Sequence, residues 1–146
     1  RLNSSERRLQ GFYQAMQAHG LPVAEHQIYH GDYSTESGVA GVKALMQRKQ
    51  RPTAIFCFGD LAAIGALHAL RELGYQVPDD VSVVSVDGIA LGAYLAPPLT
   101  TVAQPLALIG ERCAQLLLDI IEGSPPQART HLLPHSLIIR QSTAPR

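Results

Sequence analysis

The sequence has no excess of charge of either sign: 12 Lys and Arg stand against 12 Asp and Glu, for a formal net charge of zero. With no basic stripe along it, the chain is a poor candidate for gripping nucleic-acid phosphates. Cysteine is scarce. Cys57 and Cys113 lie far apart, without metal-type spacing, and read as reduced core residues of a cytosolic protein. No apolar run approaches the ~20 residues of a membrane-spanning helix, so no membrane partner is expected. Repeats and low-complexity segments are missing. The one linker-like stretch, GSPPQART (residues 123–130), is too short to divide domains. A chain that begins on Arg1, with neither Met nor a signal peptide, reads as a piece of something longer.

What is present points to one domain with a sizeable core, since 46% of 146 residues are hydrophobic. Asn3, Ser4, Ser5 and Glu6 form a helix start, with small polar caps and then an acid that suits the positive end. Leu9, Phe12, Tyr13 and Met16 follow at helical spacing, and Gly20 stops the helix. HQIYH (residues 26–30) reads as a short strand. Ser34 caps a second helix with Val39, Val42, Leu45 and Met46 as its apolar stripe. TAIFCF (residues 53–58) is a buried strand. A helix follows, with Asp60 as its expected cap and Gly74 as its stop. VSVVSV is another buried strand, and TTVAQ a short extended piece. Pro105 suits the first turn of a helix running to about Glu122. HLLPHSLIIRQS is extended and edge-like at Pro134. Apolar strands alternating with helices predict an α/β fold: a parallel sheet with helices on both faces.

In such a sheet, ligands bind beyond the carboxyl ends of the strands. Three of the expected strands end in polar or aromatic residues: Gly31-Asp32-Tyr33, Phe58-Gly59-Asp60, and Asp87-Gly88. Asp87 directly follows a strand whose residues from Val83 to Val86 are apolar but for Ser85. A carboxylate there is either a turn former before Gly88 or a ligand group, and three rims agreeing suggest a pocket.

The stretch from Arg51 to Pro105, with PTAIFCFGDLAAIG, VPDDVSVVSVDG and PPLTTVAQP, resembles the effector-binding domain of the LacI/GalR family of bacterial transcriptional regulators. The likeness extends upstream to ERRLQGF and GDYSTESG and downstream to LLDIIEG and LIIRQST, nearly the whole chain. It implies a fold like type I periplasmic sugar-binding proteins, with two subdomains around a cleft. This chain would hold mostly the C-terminal subdomain, in residues 1–99 and 130–143. Residues 100–129 would be a crossover strand and a helix belonging to the N-terminal subdomain. The DNA-binding headpiece would be absent, and so would the first strand of the C-terminal subdomain. By residue-wise match, Arg8 and Asp87 correspond to effector contacts. Tyr33 sits where an aromatic residue commonly covers the ligand, and Gly59 stands where the family usually has Asn. A carboxylate accepting from hydroxyls, a planar guanidinium fork and an aromatic face suit a sugar or a sugar-like molecule. Gly88 replaces the family's second Asp. Either the effector is not a typical sugar, or a backbone amide or water takes the role of the amide side chain that Gly59 does not have. The resemblance also implies a homodimer, with Ile64, Leu67, His68 and Leu95 at the interface.

The expected function is therefore effector sensing and dimerisation in a cytoplasmic regulator that touches DNA only through a headpiece outside this chain. The alternative is a periplasmic solute-binding protein of a sugar transport system. No catalytic residue, cofactor or metal is expected. His131-x3-His135 has zinc-like spacing, but Pro134 lies between in an extended stretch. Cys57 and His68 have no supporting acid or oxyanion motif.

Overall fold

The computed structural model describes residues 4–124, 127–128 and 130–145. Asn3, expected among the caps of the first helix, lies outside the described residues, as do residues 125, 126 and 129 of the linker-like stretch. Four helices, α1 (Ser4–Ala18), α2 (Thr35–Met46), α3 (Asp60–Glu72) and α4 (Leu106–Ile121), surround four strands. The strands are β1 (Ala54–Phe56), β2 (Ser82–Asp87), β3 (Thr100–Ala103) and β4 (Ser136–Ile138). They lie in the order β1-β2-β3-β4; β1, β2 and β3 run parallel and β4 is an antiparallel edge. The fold is thus a mixed, mostly parallel α/β sheet.

Local chemistry explains the helix boundaries. Ser34 caps α2: its Oγ accepts from the Ser37 N–H at 3.0 Å. At the end of α3 the Gly74 N–H reaches the Arg71 carbonyl and the Tyr75 N–H reaches that of Leu70. That pair of bonds needs a left-handed residue, and Gly74 supplies it with φ +82°. The same two bonds close α1 at Gly20 and α4 at Gly123.

Alternation along β1 sorts the layers. Ile55 and Cys57 enter the core with α2 and α3, alongside Val42, Ala66, Leu70, Val83 and Leu99. Phe56 and Phe58 point the other way, and Phe12 of α1 packs on Phe56 with ring centroids 5.9 Å apart. Helices therefore cover both faces, α2 and α3 on one and α1 on the other.

Three expectations change. HQIYH is not a strand: Glu25–Gln27 form a 3-10 turn, and the chain beyond is unpaired. A strand needs a ladder partner, and a groove of about 490 Å³ separates Ile28–His30 from β1. Thr100–Ala103, expected as a crossover outside this subdomain, is an interior strand between β2 and β4, with Thr100 and Thr101 buried. Cys57 is a core residue as expected, but Cys113 is exposed, because α4 buries none of its residues.

Candidate effector site

β2 ends on Asp87, whose φ of +133° is a left-handed value rarely adopted by a residue with a side chain. Gly88 follows at φ +80°, and a Cβ there would lie 2.5 Å from that of Ala103. The turn is therefore pressed against β3, with no room for a side chain at position 88. Asp87 Oδ1 accepts from the Gln104 side-chain amide at 2.8 Å and from Arg8 Nη2 at 3.3 Å. Its side chain keeps 33% of its exposure. Arg8 also donates to the Phe58 carbonyl, so one guanidinium joins the ends of β1 and β2.

The same guanidinium sits 5.7 Å from the ring centroid of Tyr33, within cation–π range. The Tyr33 hydroxyl is 2.6 Å from Ser5 Oγ. Partial burial pushes the Tyr33 phenol up, but hydrogen bonds to Ser4 and Ser5 and the Arg8 charge outweigh it, and its pKa falls below the ordinary value. Asp32, next to it, bonds the Ser34 hydroxyl and N–H, which holds its carboxyl below the usual range. Gly59, buried in extended backbone, lies against Tyr33 and Asp87. Arg8, Tyr33, Gly59 and Asp87, drawn from well-separated parts of the chain, thus meet at one corner. No cation stands among the sequence neighbours of Asp87; Arg8 comes to it from 79 residues away.

The large apolar groove abuts this corner without coinciding with it. Tyr33, Gly59 and Ser5 lie on its wall, whereas Arg8 and Asp87 do not. The polar chemistry is at the corner, and the groove is lined by groups such as Phe12, Ile28 and Phe56.

Asp60 corrects another expectation. Gly59 holds the cap position of α3, and Asp60 is fully buried in its first turn. Its carboxylate accepts from the Ser85 hydroxyl, the Thr101 hydroxyl at 2.7 Å and the Ile89 N–H at 2.7 Å. It ties β2, β3 and the turn after Asp87 to the start of α3. Sequence reasoning also missed Gln104. The signal was present, because the residue that follows β3 beside Asp87 reaches the same rim.

Of the expected dimer residues, Leu67 lies in the core and Leu95 packs against it. Ile64 is half-buried, and His68 is exposed, 3.3 Å from Glu72. Leu61, Leu91 and Tyr94 carry the exposed apolar surface of these segments. The Cys57 thiol is buried and pushed up to about 12 by that burial and by the Asp60 charge, both of which disfavour the thiolate. No group of three His, Cys, Asp or Glu able to hold a metal occurs among the described residues, and no helix there is long and apolar enough to cross a membrane.

Comparison with known proteins fits this arrangement. The periplasmic binding protein-like domain family matches residues 1–143. The HTH-type transcriptional repressor PurR of Proteus mirabilis is 42% identical over 142 residues, 97% of this chain and 42% of that protein. A LacI-type transcription regulator from Bifidobacterium animalis subsp. lactis superposes with a TM-score of 0.92 at 33% identity, over 97% of this chain and 51% of that one. The regulator CelR in complex with cellobiose superposes with a TM-score of 0.87 at 37% identity, over 92% and 41%. The chain spans less than half the length of the curated relatives it matches. It belongs to the periplasmic-binding-protein-like effector domains of the LacI/GalR family of transcriptional regulators.

Proposed function

We propose that this chain is the effector-sensing and dimerisation part of a cytoplasmic regulator, not an enzyme, and that a sugar or sugar-like molecule binds at Arg8, Tyr33, Gly59 and Asp87. The observation that carries the reading is the convergence of these four residues beyond the ends of β1 and β2, where an open parallel sheet receives its ligands. Asp87 Oδ2 has no protein donor among the described residues and is available to hydroxyls. A similar fold that holds cellobiose supports a sugar as the ligand class. Occupying the site would bias the orientation of two subdomains in a dimer. That couples the site to operator binding by the longer protein.

The subdomain division follows the same reading, with its boundary moved past Ala103. Residues 104–129 contain α4, which has no buried residue and exposes Leu106, Leu117, Ile120 and Ile121, as a helix packing on a second subdomain would. The groove beside β1 has room for the parallel strand that the resemblance leaves out of this chain. Dimerisation would use the exposed side of α3 and the turn at Ala90–Tyr94, with Ile64 and His68 at its border and Leu67 and Leu95 supporting it from within.

The test is Asp87→Ala in the full-length regulator. Loss of charge-assisted hydrogen bonds to a ligand costs about 1.5–3 kcal/mol, roughly ten- to a hundredfold in affinity. Effector response is lost while operator affinity without effector is kept. Unchanged effector affinity by calorimetry would make Asp87 a turn former only.

A further inference from the structure

Gly59 has φ −161° and ψ 151°, extended backbone that any residue adopts, so conformation gives no reason for a glycine. Space does. A Cβ on Gly59 would lie 3.0 Å from Tyr33 Cδ1 and 3.2 Å from Asp87 Oδ2, closer than the roughly 3.5–4.0 Å of ordinary carbon contacts. The ring is held in that place from its other parts. Its hydroxyl meets Ser5 Oγ at 2.6 Å and the Arg8 guanidinium lies 5.7 Å from its centroid. Asp87 is held too, because Gln104 and Arg8 both occupy Oδ1. Neither neighbour of Gly59 can give way without breaking an interaction of its own.

We infer that Gly59 and Tyr33 are a matched pair that sets the specificity of the site: the phenol ring takes the room a side chain at position 59 would fill. This rests on the reading that the corner binds an effector, and it narrows the effector's chemistry. With no side chain at 59, Asp87 Oδ2 is the open polar atom of that corner, and a carboxylate oxygen only accepts. The ligand group that enters must donate. Among the described residues the cation at this corner is Arg8, and its charge is already paired with Asp87 while it also donates to the Phe58 carbonyl, which disfavours an anion here. The pair therefore selects a neutral polyhydroxy ligand over a phosphorylated one.

The experiment combines a stability cycle with two probes. Thermal melts are taken of the chain, of Gly59→Asn, of Tyr33→Ala and of the double variant. Gly59→Asn lowers the midpoint by about 4 °C or more, as a crowded site should, and the loss largely disappears once the ring is gone. An equal loss with and without the ring overturns the pairing, and the Tyr33→Ala background keeps the test valid if Gly59→Asn alone folds poorly. Amide NMR spectra are then followed with millimolar cellobiose and with millimolar glucose 6-phosphate. Cellobiose shifts the Gly59 and Asp87 signals of the unmodified chain, glucose 6-phosphate does not, and Gly59→Asn weakens cellobiose at least tenfold. If the phosphorylated sugar binds as well, the specificity claim falls while the site stands. If neither sugar moves these signals although the stability cycle couples, the effector reading fails and the specificity role goes with it.

Discussion

Asp60 and Asp87 are both carboxylates near the carboxyl ends of strands, and their surroundings give them different tasks. Asp60 is fully buried and receives three donors from β2, β3 and the turn between them. Such a group is tolerated inside a protein only because its lone pairs are satisfied. Asp60→Ala leaves two hydroxyls and one N–H without their acceptor and should cost about 3 kcal/mol in urea unfolding. A loss below about 1 kcal/mol would mean that water replaces the carboxylate. Asp87 is a third exposed, and its strained backbone is held by Arg8 and Gln104, which leaves one oxygen open. The two cysteines divide in the same way. Cys113 is exposed on α4, whereas Cys57 is buried with its thiol raised to about 12. In the native protein at pH 8 a thiol reagent should label one cysteine quickly and the second only on unfolding. The raised value also fixes a sign. Between about 9, the ordinary value, and about 12 the unfolded chain loses the Cys57 proton while the folded one keeps it. The contribution of Cys57 to stability is thus complete below pH 9 and declines through that window.

α2 and α3 pack backbone against backbone, and the elements owe this to two glycines. A Cβ on Gly38 would lie 2.0 Å from the Ala62 carbonyl oxygen, and one on Gly65 2.0 Å from that of Thr35. With hydrogen in both places the helices approach closely enough for Val42, Met46, Ala66 and Leu70 to share one core. Alanine is the better helix former in isolation, yet here it forces the helices apart. Gly65→Ala should destabilise by about 1–3 kcal/mol, the usual range for overpacking. Gly110→Ala in α4, where nothing lies within 4 Å of the added carbon, should instead gain about 0.5–1 kcal/mol. Opposite signs for the same substitution make chemical denaturation of the two variants a clean check. If both stabilise, α2 and α3 pack more loosely than the distances imply.

For the whole molecule, two of the exposed apolar regions have different proposed partners. One is α4, with Leu117, Leu118, Ile120 and Ile121, proposed to face a second subdomain. The other is Leu61, Leu91 and Tyr94, on α3 and the turn that Asp60 holds beside it through Ile89. A two-fold interface on this second region brings each residue near its own copy or its neighbour's. Tyr94 is 85% exposed, so Tyr94→Glu disturbs little inside the chain while placing like charges across the interface. Sedimentation should show a dimer for the parent chain and a monomer for the variant, with the melting temperature of dilute samples nearly unchanged. Identical masses would place the interface elsewhere. Leu67→Glu is the poorer test, since it would put a charge into the core.

The sequence by itself determined whatever depends on neighbours a few residues away. Ser34 as a cap, Gly20 and Gly74 as helix stops and the extents of α2 and α3 were legible because capping bonds close within one turn. The motif spacing around Gly59 and Asp87 likewise marked the strand ends and the family. Tertiary structure alone decided what depends on distant partners. HQIYH has a strand's composition but no ladder neighbour, so it stays unpaired. Asp60 looks like a cap until Ser85 and Thr101 arrive from other strands. The ion pair that defines the site joins residues 79 positions apart. Which carboxylate is sealed and which is left open follows from the docking of α3 on the sheet, which sets Asp60 against Ser85 of β2 and Thr101 of β3, whereas Asp87 stands at the end of β2 with donors on one oxygen.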